Sequence, residues 1–390
     1  MTNLSVTKLL DTIVDSLDIP RSYYQKAVNR HRSLGEWLCR TESRVAAFQP
    51  IVSPQGSFRY GTVVRPLLTS GYYDLDNVTT LEIPKTAMTQ KQIKQLYGEE
   101  VTEYANSNGI MEPVEEKNRC WRLHYSDEVT FHLDTLPCIV EERSVVLAIT
   151  SRGVPPELAA MAIAITDKRH PEYEQITRNL FSSNPRGFAT WFEDRARPWA
   201  IAQMRRLVEQ RLYASVESVP PYEWKTPLQR SIQLLKRHRD VMFRDNPSVG
   251  PISMIITNLA SHAYAGEPDI LSALTNIVDR MPQFVRPSRP RVPNPANPAE
   301  DYADKWTKNP TLESNFWAWH TQAKSDFAKL PTILSGNNLF SEVRRTFRVE
   351  LTEDELRQFN AGVIRPASIA IRTTPVLSIP SAPRPWGHND

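Results

Sequence analysis

The sequence predicts an α+β protein, on three observations. Residues 119–136 alternate apolar and polar side chains, the mark of half-buried strands. Residues 4–16, 20–40 and 90–107 instead carry apolar side chains at helical spacing, and the stretch from about 155 to 280 is mainly helical in pattern. Taken in chain order, Pro20 stands where a helix starts, and Ile13, Leu17, Leu34, Trp37 and Leu38 are the candidate buried positions of a helical support over residues 1–50. From Gln55 to Glu82 the texture changes to Gly, Ser and Pro punctuation around short β-branched stretches. Helical spacing then returns at Ile93, Leu96, Val101 and Tyr104. In Arg119–Tyr125, Trp121, Leu123 and Tyr125 alternate with Cys120, Arg122 and His124. In Val129–Leu136, Phe131 and Leu133 alternate with Thr130, His132 and Asp134, so a half-buried antiparallel sheet edged by helices is expected. The clearest helix is Pro227–Met242, with Leu228, Ile232 and Leu235 as its apolar stripe and Arg230, Lys236, Arg237 and Arg239 on its polar side. A second helix, roughly Ile252–Tyr264, follows it. Prolines 282, 287, 290, 293, 295 and 298 predict an extended crossing segment with no regular element. Helical patterning resumes around Leu312–Leu330, and the Pro-rich tail from about Arg365 is expected to be unstructured.

Composition narrows the chemistry. The chain has 390 residues, 40% hydrophobic and 23% charged, ordinary for a globular protein. Its longest apolar runs, such as Ser144–Thr150, fall far short of a bilayer span, and Met1–Lys8 does not read as a signal peptide, so a soluble cytoplasmic protein is expected. A net charge of +3 excludes a polycation that coats nucleic acid. Cys39, Cys120 and Cys138 are too few and too scattered for a disulfide framework or a Cys-x-x-Cys zinc site. The histidines form no zincin or zinc-deaminase motif. Any metal must be held by carboxylates.

Three short pieces carry the chemistry: Gly56-Ser57 in a turn, Asp74-Leu75-Asp76 on a strand, and His132-Leu133-Asp134 on a later strand. Side chains alternate along a strand, so Asp74 and Asp76 share a face, and a neighbouring strand can bring Asp134 to it. Three converging carboxylates repel unless a strong positive charge sits among them, and Mg²⁺ is the natural candidate. Two such ions, Mg²⁺ or Mn²⁺, would stabilise the attacking and leaving oxygens of a phosphoryl displacement. Gly56, lacking Cβ, lets backbone N–H groups approach a phosphate, and the Ser57 hydroxyl adds a donor. Lys236, with Ser253 as a second donor, is expected to clamp the same triphosphate from another lobe. Arg59, Arg65 and Gln55, the arginines at 286–291, and Tyr60, Tyr72 and Tyr73 are secondary candidates for phosphate or base contacts. His132 reads as a hydrogen-bonded structural histidine.

The order Gln55-Gly56-Ser57-Phe58-Arg59-Tyr60-Gly61-Thr62-Val63-Val64-Arg65-Pro66, then Tyr73-Asp74-Leu75-Asp76, then Phe131-His132-Leu133-Asp134-Thr135-Leu136-Pro137, resembles the DNA polymerase β-like nucleotidyltransferases, specifically the bacterial cGAS/DncV-like enzymes (CD-NTases). Tyr23 to Leu38, Pro227 to Asp240 and Asn294 to Trp306 look like the same family's helical framework, so the resemblance covers roughly residues 20–330. It implies a two-lobed fold, a mixed sheet with helices plus a helical second lobe. The divisions expected are the helical support over 1–50, the catalytic core over 51–155, a helical lobe completing the nucleotide cleft over 156–345, and a C-terminal segment over 346–390. It also implies an enzyme making cyclic di- or trinucleotides from ribonucleoside triphosphates, ATP among them, as the signal-producing half of the anti-phage system called CBASS. Asp74 and Asp76 would bind both metals, and Asp134 would hold the catalytic metal and help deprotonate the attacking ribose hydroxyl. Gly56, Ser57, Lys236 and Ser253 would hold the nucleotide. A downstream effector would receive the product, and accessory proteins could contact the tail. Without a Cys/His insertion, activation by DNA is not expected. The competing readings are a nucleotidyltransferase with an RNA or protein acceptor, a glycosyltransferase using Asp-x-Asp, and a degenerate nucleotide-binding module.

Overall fold

The computed structural model describes residues 3–68, 71–126, 130–209, 225–333 and 339–352. Residues 1–349 make one compact unit and 350–390 a second, so the Pro-rich tail expected from Arg365 lies outside the described residues. The strands are β1 (Ile51–Gln55), β2 (Tyr73–Leu81), β3 (Glu115–Glu116), β4 (Trp121–Ser126), β5 (Thr130–Val140), β6 (Ile163–Ile165), β7 (Phe181–Ser183), β8 (Pro293–Asn294) and β9 (Asn297–Asp301). The helices are α1 (Asn3–Leu17), α2 (Arg21–Cys39), α3 (Gly56–Tyr60), α4 (Gln90–Ser107), α5 (Arg143–Thr150), α6 (Pro156–Ala159), α7 (Pro185–Glu209), α8 (Pro227–Met242), α9 (Ser253–Ala263), α10 (Ile270–Arg280), α11 (Pro310–Ile333) and α12 (Leu339–Phe347). No helix among the described residues is long and apolar enough to cross a membrane.

Strands β1 to β7 form one mixed sheet in the order β1-β2-β5-β4-β3, and β6 continues on the β4 side of β5 with β7 beyond it. The sheet is mixed, as expected: the antiparallel pairing read from residues 119–136 holds for β4 and β5, β1 and β2 are antiparallel too, and β2 and β5 run parallel at the centre. Alternation decides which face is covered. Leu75, Phe131, Leu133 and Leu123 point into the core with Tyr97, Val101 and Tyr104 of α4 and Leu34 and Leu38 of α2. The opposite face carries Asp74, Asp76, His132 and Asp134, each more exposed than its neighbours along β2 or β5, with Arg122 and His124 of β4 half-buried beside them.

Helix α4 begins with a capping box, Thr89 accepting from the Gln92 N–H and Gln92 returning a bond to the Thr89 N–H. Helix α8 repeats the device with Thr226 and Gln229 and adds Pro227 in its first turn. The proline-rich stretch is a correction. Although Pro293 and Pro295 cannot donate to a ladder, β8 and β9 still close a small hairpin through Pro293↔Asp301 and Asn294↔Asn297, where the donors needed come from other residues. Arg289 and Arg291, expected as possible cleft residues, pair with Asp301 at 3.6 Å and Glu313 at 2.5 Å and fasten this hairpin instead.

Candidate active site

Parallel pairing of β2 with β5 sets Asp76 opposite Asp134 and Asp74 opposite His132. Since positions 74 and 76 share a face, the three aspartates lie on one side of two adjacent strands. On the far side of β5, β4 sets Arg122 opposite Asp134 and His124 opposite His132. The polar face thus reads Asp76, Asp134, Arg122 in one row and Asp74, His132, His124 in the next.

These charges are not balanced evenly. Arg122 makes a two-point pair with Asp134, Nε to Oδ1 at 2.6 Å and Nη2 to Oδ2 at 2.8 Å, and lies 4.0 Å from Asp74 Oδ1. Hydrogen bonding to Asp134 holds the guanidinium firmly protonated. Among the described residues no donor makes a hydrogen bond to the half-buried Asp76. Burial first, then the fields of Asp74 and Asp134, push its carboxyl up to about 7. Asp74 is also raised, by burial above all. A carboxylate left without a donor, beside two others, is a site short of positive charge, and all-oxygen donors suit a hard divalent cation. The residues therefore fit the Mg²⁺ or Mn²⁺ expected of them. The fit has one qualification: among the described residues no three His, Cys, Asp or Glu side chains close round a common point, so the trio shares a face without forming a ready-made cage. Arg122 takes both oxygens of the third member.

Gly56 and Ser57 open α3 and so lie in helix, not in the turn expected from sequence. Gly56 has φ +67°, and a Cβ there would fall 2.2 Å from Asp76 Oδ2. Only glycine lets the backbone pass this close to the carboxylate. The Ser57 hydroxyl donates to no group among the described residues, while the Ser57 carbonyl accepts from the Thr62 N–H at 2.9 Å.

The loop after α3 is held by α8. Gln229 Nε2 donates to the Tyr60 carbonyl at 2.9 Å, Gln233 Nε2 to Val63 at 2.6 Å and Arg237 Nη2 to Arg65 at 2.6 Å. Lys236 donates to the Thr62 hydroxyl at 2.9 Å and carbonyl at 3.2 Å. Expected on a polar helix face, Lys236 is in fact buried. Burial first and then Arg239 lower its pKa to about 7, against the opposing pull of Asp240 and Asp76. Ser253, first residue of α9, accepts from Arg239 Nη2 at 3.2 Å, so its side-chain contact is with α8.

Of the tyrosines weighed as base-stacking candidates, Tyr60 and Tyr73 are buried, whereas Tyr72 is 47% exposed, one ring face covered by His132 at 3.7 Å. His132, its Nδ1 3.9 Å from Asp74 Oδ1, is kept neutral by burial, which lowers its pKa to about 4. Arg59 is paired with Glu193, and Arg65 Nε donates to the Asp18 carbonyl at 2.5 Å, so both are engaged within the protein. Sequence reasoning missed Arg122, although its place on the polar side of an alternating strand beside Asp134's strand was the signal. It also missed Thr62 and the two glutamines of α8.

A mixed sheet with paired aspartates on one strand, a third on its parallel neighbour and a glycine-opened helix beside them is the arrangement expected of a DNA polymerase β-like nucleotidyltransferase. Residues 50–137 match the family described as cyclic GMP-AMP synthase DncV-like, nucleotidyltransferase domain. The chain thus carries a DncV-like nucleotidyltransferase domain and is similar over most of its length to bacterial cyclic dinucleotide synthases. It is 28% identical over 324 residues to a protein of Roseivirga ehrenbergii named c-di-GMP synthase, covering 81% of this chain and 78% of that one. It is 25% identical over 334 residues to the cyclic dinucleotide synthase CdnG of Bradyrhizobium diazoefficiens, covering 79% and 72%. The solved structure of the Bradyrhizobium diazoefficiens CD-NTase CdnG in complex with GTP shares the fold, with TM-score 0.67 and 21% identity over 90% of this chain and 97% of that one.

Proposed function

We propose that this chain synthesises a cyclic oligonucleotide from ribonucleoside triphosphates, releasing pyrophosphate, and that Asp74, Asp76 and Asp134 carry the reaction. The observation that carries the proposal is the register of β2 on β5, which sets all three acids on one face beside Gly56 and within the field of Lys236. The names of the two curated relatives favour a cyclic dinucleotide and a guanine nucleotide among its substrates, with ATP the other candidate.

Each residue has a distinct task in this reading. Asp74, Asp76 and Asp134 would hold divalent cation, Mg²⁺ or Mn²⁺, which when bound supplies charge stabilisation to the phosphoryl group in transfer. Asp134, across the strand pair from Asp76, accepts the proton of the attacking ribose hydroxyl. The backbone at Gly56 and the unengaged Ser57 hydroxyl seat the phosphates, Lys236 lends its charge to the triphosphate through the loop it grips, and Ser253 bounds the cleft on the α9 side. Catalysis then comes from positioning and preorganised charge, with no covalent enzyme intermediate. In the cell the enzyme would act in the cytoplasm, its product received by an effector of an anti-phage system, with the segment after residue 350 available to an accessory partner.

The test is product analysis. The full chain, incubated with all four ribonucleotides and Mg²⁺ or Mn²⁺ and no DNA, should yield a phosphatase-resistant small cyclic species resolved by mass spectrometry. The D74A/D76A double variant should yield none while keeping its circular dichroism spectrum. A linear or protein-attached label without cyclic species, or cyclic product from the double variant, overturns the proposal.

A further inference from the structure

Arg122 stands directly across β4 and β5 from Asp134 and reaches two of the three aspartates at once. Its side chain and that of Asp134 are each only 20% exposed, too enclosed for the pair to be dissolved by solvent screening. The two-point geometry matters more than the charge alone. A guanidinium fork uses in-plane lone pairs of both carboxylate oxygens, the same pairs a hard cation takes when a carboxylate ligates it. Meanwhile Asp76, in register with Asp134 on the other side, receives no hydrogen bond among the described residues. The compensating charge is therefore concentrated on one acid and withheld from its neighbour.

We infer that Arg122 is a resident counter-cation that competes with the divalent ion for Asp134, so that the third carboxylate is loaded only when the guanidinium fork opens. This deepens the reading of the three aspartates as the metal-holding set and rests on it. Charge arithmetic gives the direction. With Arg122 in place the three acids present a local charge of about −2 to an incoming cation instead of −3, and one ligand must first be released. The bare protein thus binds divalent ions weakly. A triphosphate, adding its own negative charge to the cleft, tips the balance toward the metal. Arg122 is a positioning residue in this scheme: it acts through Asp134.

The experiment measures metal binding without turnover. Full-length wild type, Arg122→Gln, Arg122→Lys and the double variant Asp74→Asn/Asp76→Asn are titrated with Mn²⁺ in the absence of nucleotide, free Mn²⁺ being read by its electron paramagnetic resonance signal, and melting temperature is recorded with EDTA and with Mn²⁺. Charge-assisted hydrogen bonds of this type hold strongly enough that Arg122→Gln should bind Mn²⁺ roughly tenfold more tightly than wild type. Arg122→Lys, charged but without the fork, should fall between. Arg122→Gln should also melt lower than wild type in EDTA and recover with Mn²⁺. A merely structural arginine lowers the melting temperature and leaves Mn²⁺ affinity unchanged; that result, in either Arg122 variant, overturns the inference alone. If the double aspartate variant binds Mn²⁺ as wild type does, the metal-site reading itself fails and the inference with it.

Discussion

Replacing Asp76 by Asn should make the protein more stable when divalent ions are removed, even as it abolishes turnover. The reason is the company Asp76 keeps. Burial and the charges of Asp74 and Asp134 move its carboxyl from 3.8 to about 7. The folded state therefore holds that proton more tightly than the unfolded chain does, and stability falls as pH rises from about 4 to about 7, then levels off. At about 1.4 kcal/mol per pH unit the full cost at pH 8 is about 4 kcal/mol, an upper bound once the side chains relax. Asn imitates the protonated acid and escapes this cost. At pH 5 only about 1.5 kcal/mol of it has accrued, so the advantage of Asp76→Asn should shrink to about a third between pH 8 and pH 5. The assay is thermal unfolding in EDTA at the two pH values, where the gain at pH 8 should be several degrees, on the order of 2 °C per kcal/mol for a chain of this size. An Asn variant no more stable than wild type at pH 8, or one with the same gain at both pH values, would refute the account of Asp76 as an uncompensated charge.

Gly56→Ala should lose turnover by about a hundredfold, because a Cβ set 2.2 Å from Asp76 Oδ2 must drive that carboxylate aside. Gly153→Ala is the control: its φ of +87° imposes the same kind of backbone strain, of about 1 kcal/mol, with no atom within 4 Å to disturb. It should show the backbone-strain part of the stability loss and keep activity, and equal turnover in the two variants would show that the close approach at Gly56 is irrelevant. Lys236, lowered to about 7, is only partly charged near pH 8. Binding of a non-hydrolysable triphosphate should raise its proton affinity and draw a proton from the buffer. Calorimetry in buffers of differing ionisation enthalpy should detect that uptake in wild type and its loss in Lys236→Arg, whose guanidinium is already charged; equal uptake in both would place the proton elsewhere.

Strong local signals made much of this fold legible. Thr226-Pro227 with Gln229 three residues on marks the start of α8, and the helix spans Pro227–Met242 as the apolar stripe requires. Alternation around Leu123 and Leu133 likewise found β4 and most of β5 and sorted their faces. What sequence did not supply was pairing. Nothing local states that β2 lies parallel to β5, because strand direction is decided by the connection through α4 and by which apolar faces meet. Arg122 is a different case: the antiparallel pairing of its strand with that of Asp134 is legible, but the exact register that sets the two residues opposite each other is not. The polar helix face on which Lys236 reads proves to be buried, because polarity alone cannot tell a helix face in water from one packed against a polar loop. The strands β6 and β7 were absorbed into a helical reading, since three residues are too few to show a period.

The grip of α8 on the segment from Tyr60 to Arg65 has a mechanical corollary. Its four anchoring side chains, at 229, 233, 236 and 237, occupy little more than two turns of one stiff rod, so the loop is tied at four points to a single element. Any strain that an arriving ligand puts on this stretch of chain must tilt the rod as a whole. Because that rod also abuts α1, α9, α10, α11 and α12, a shift of the loop that moves the rod would be carried to those helices as well.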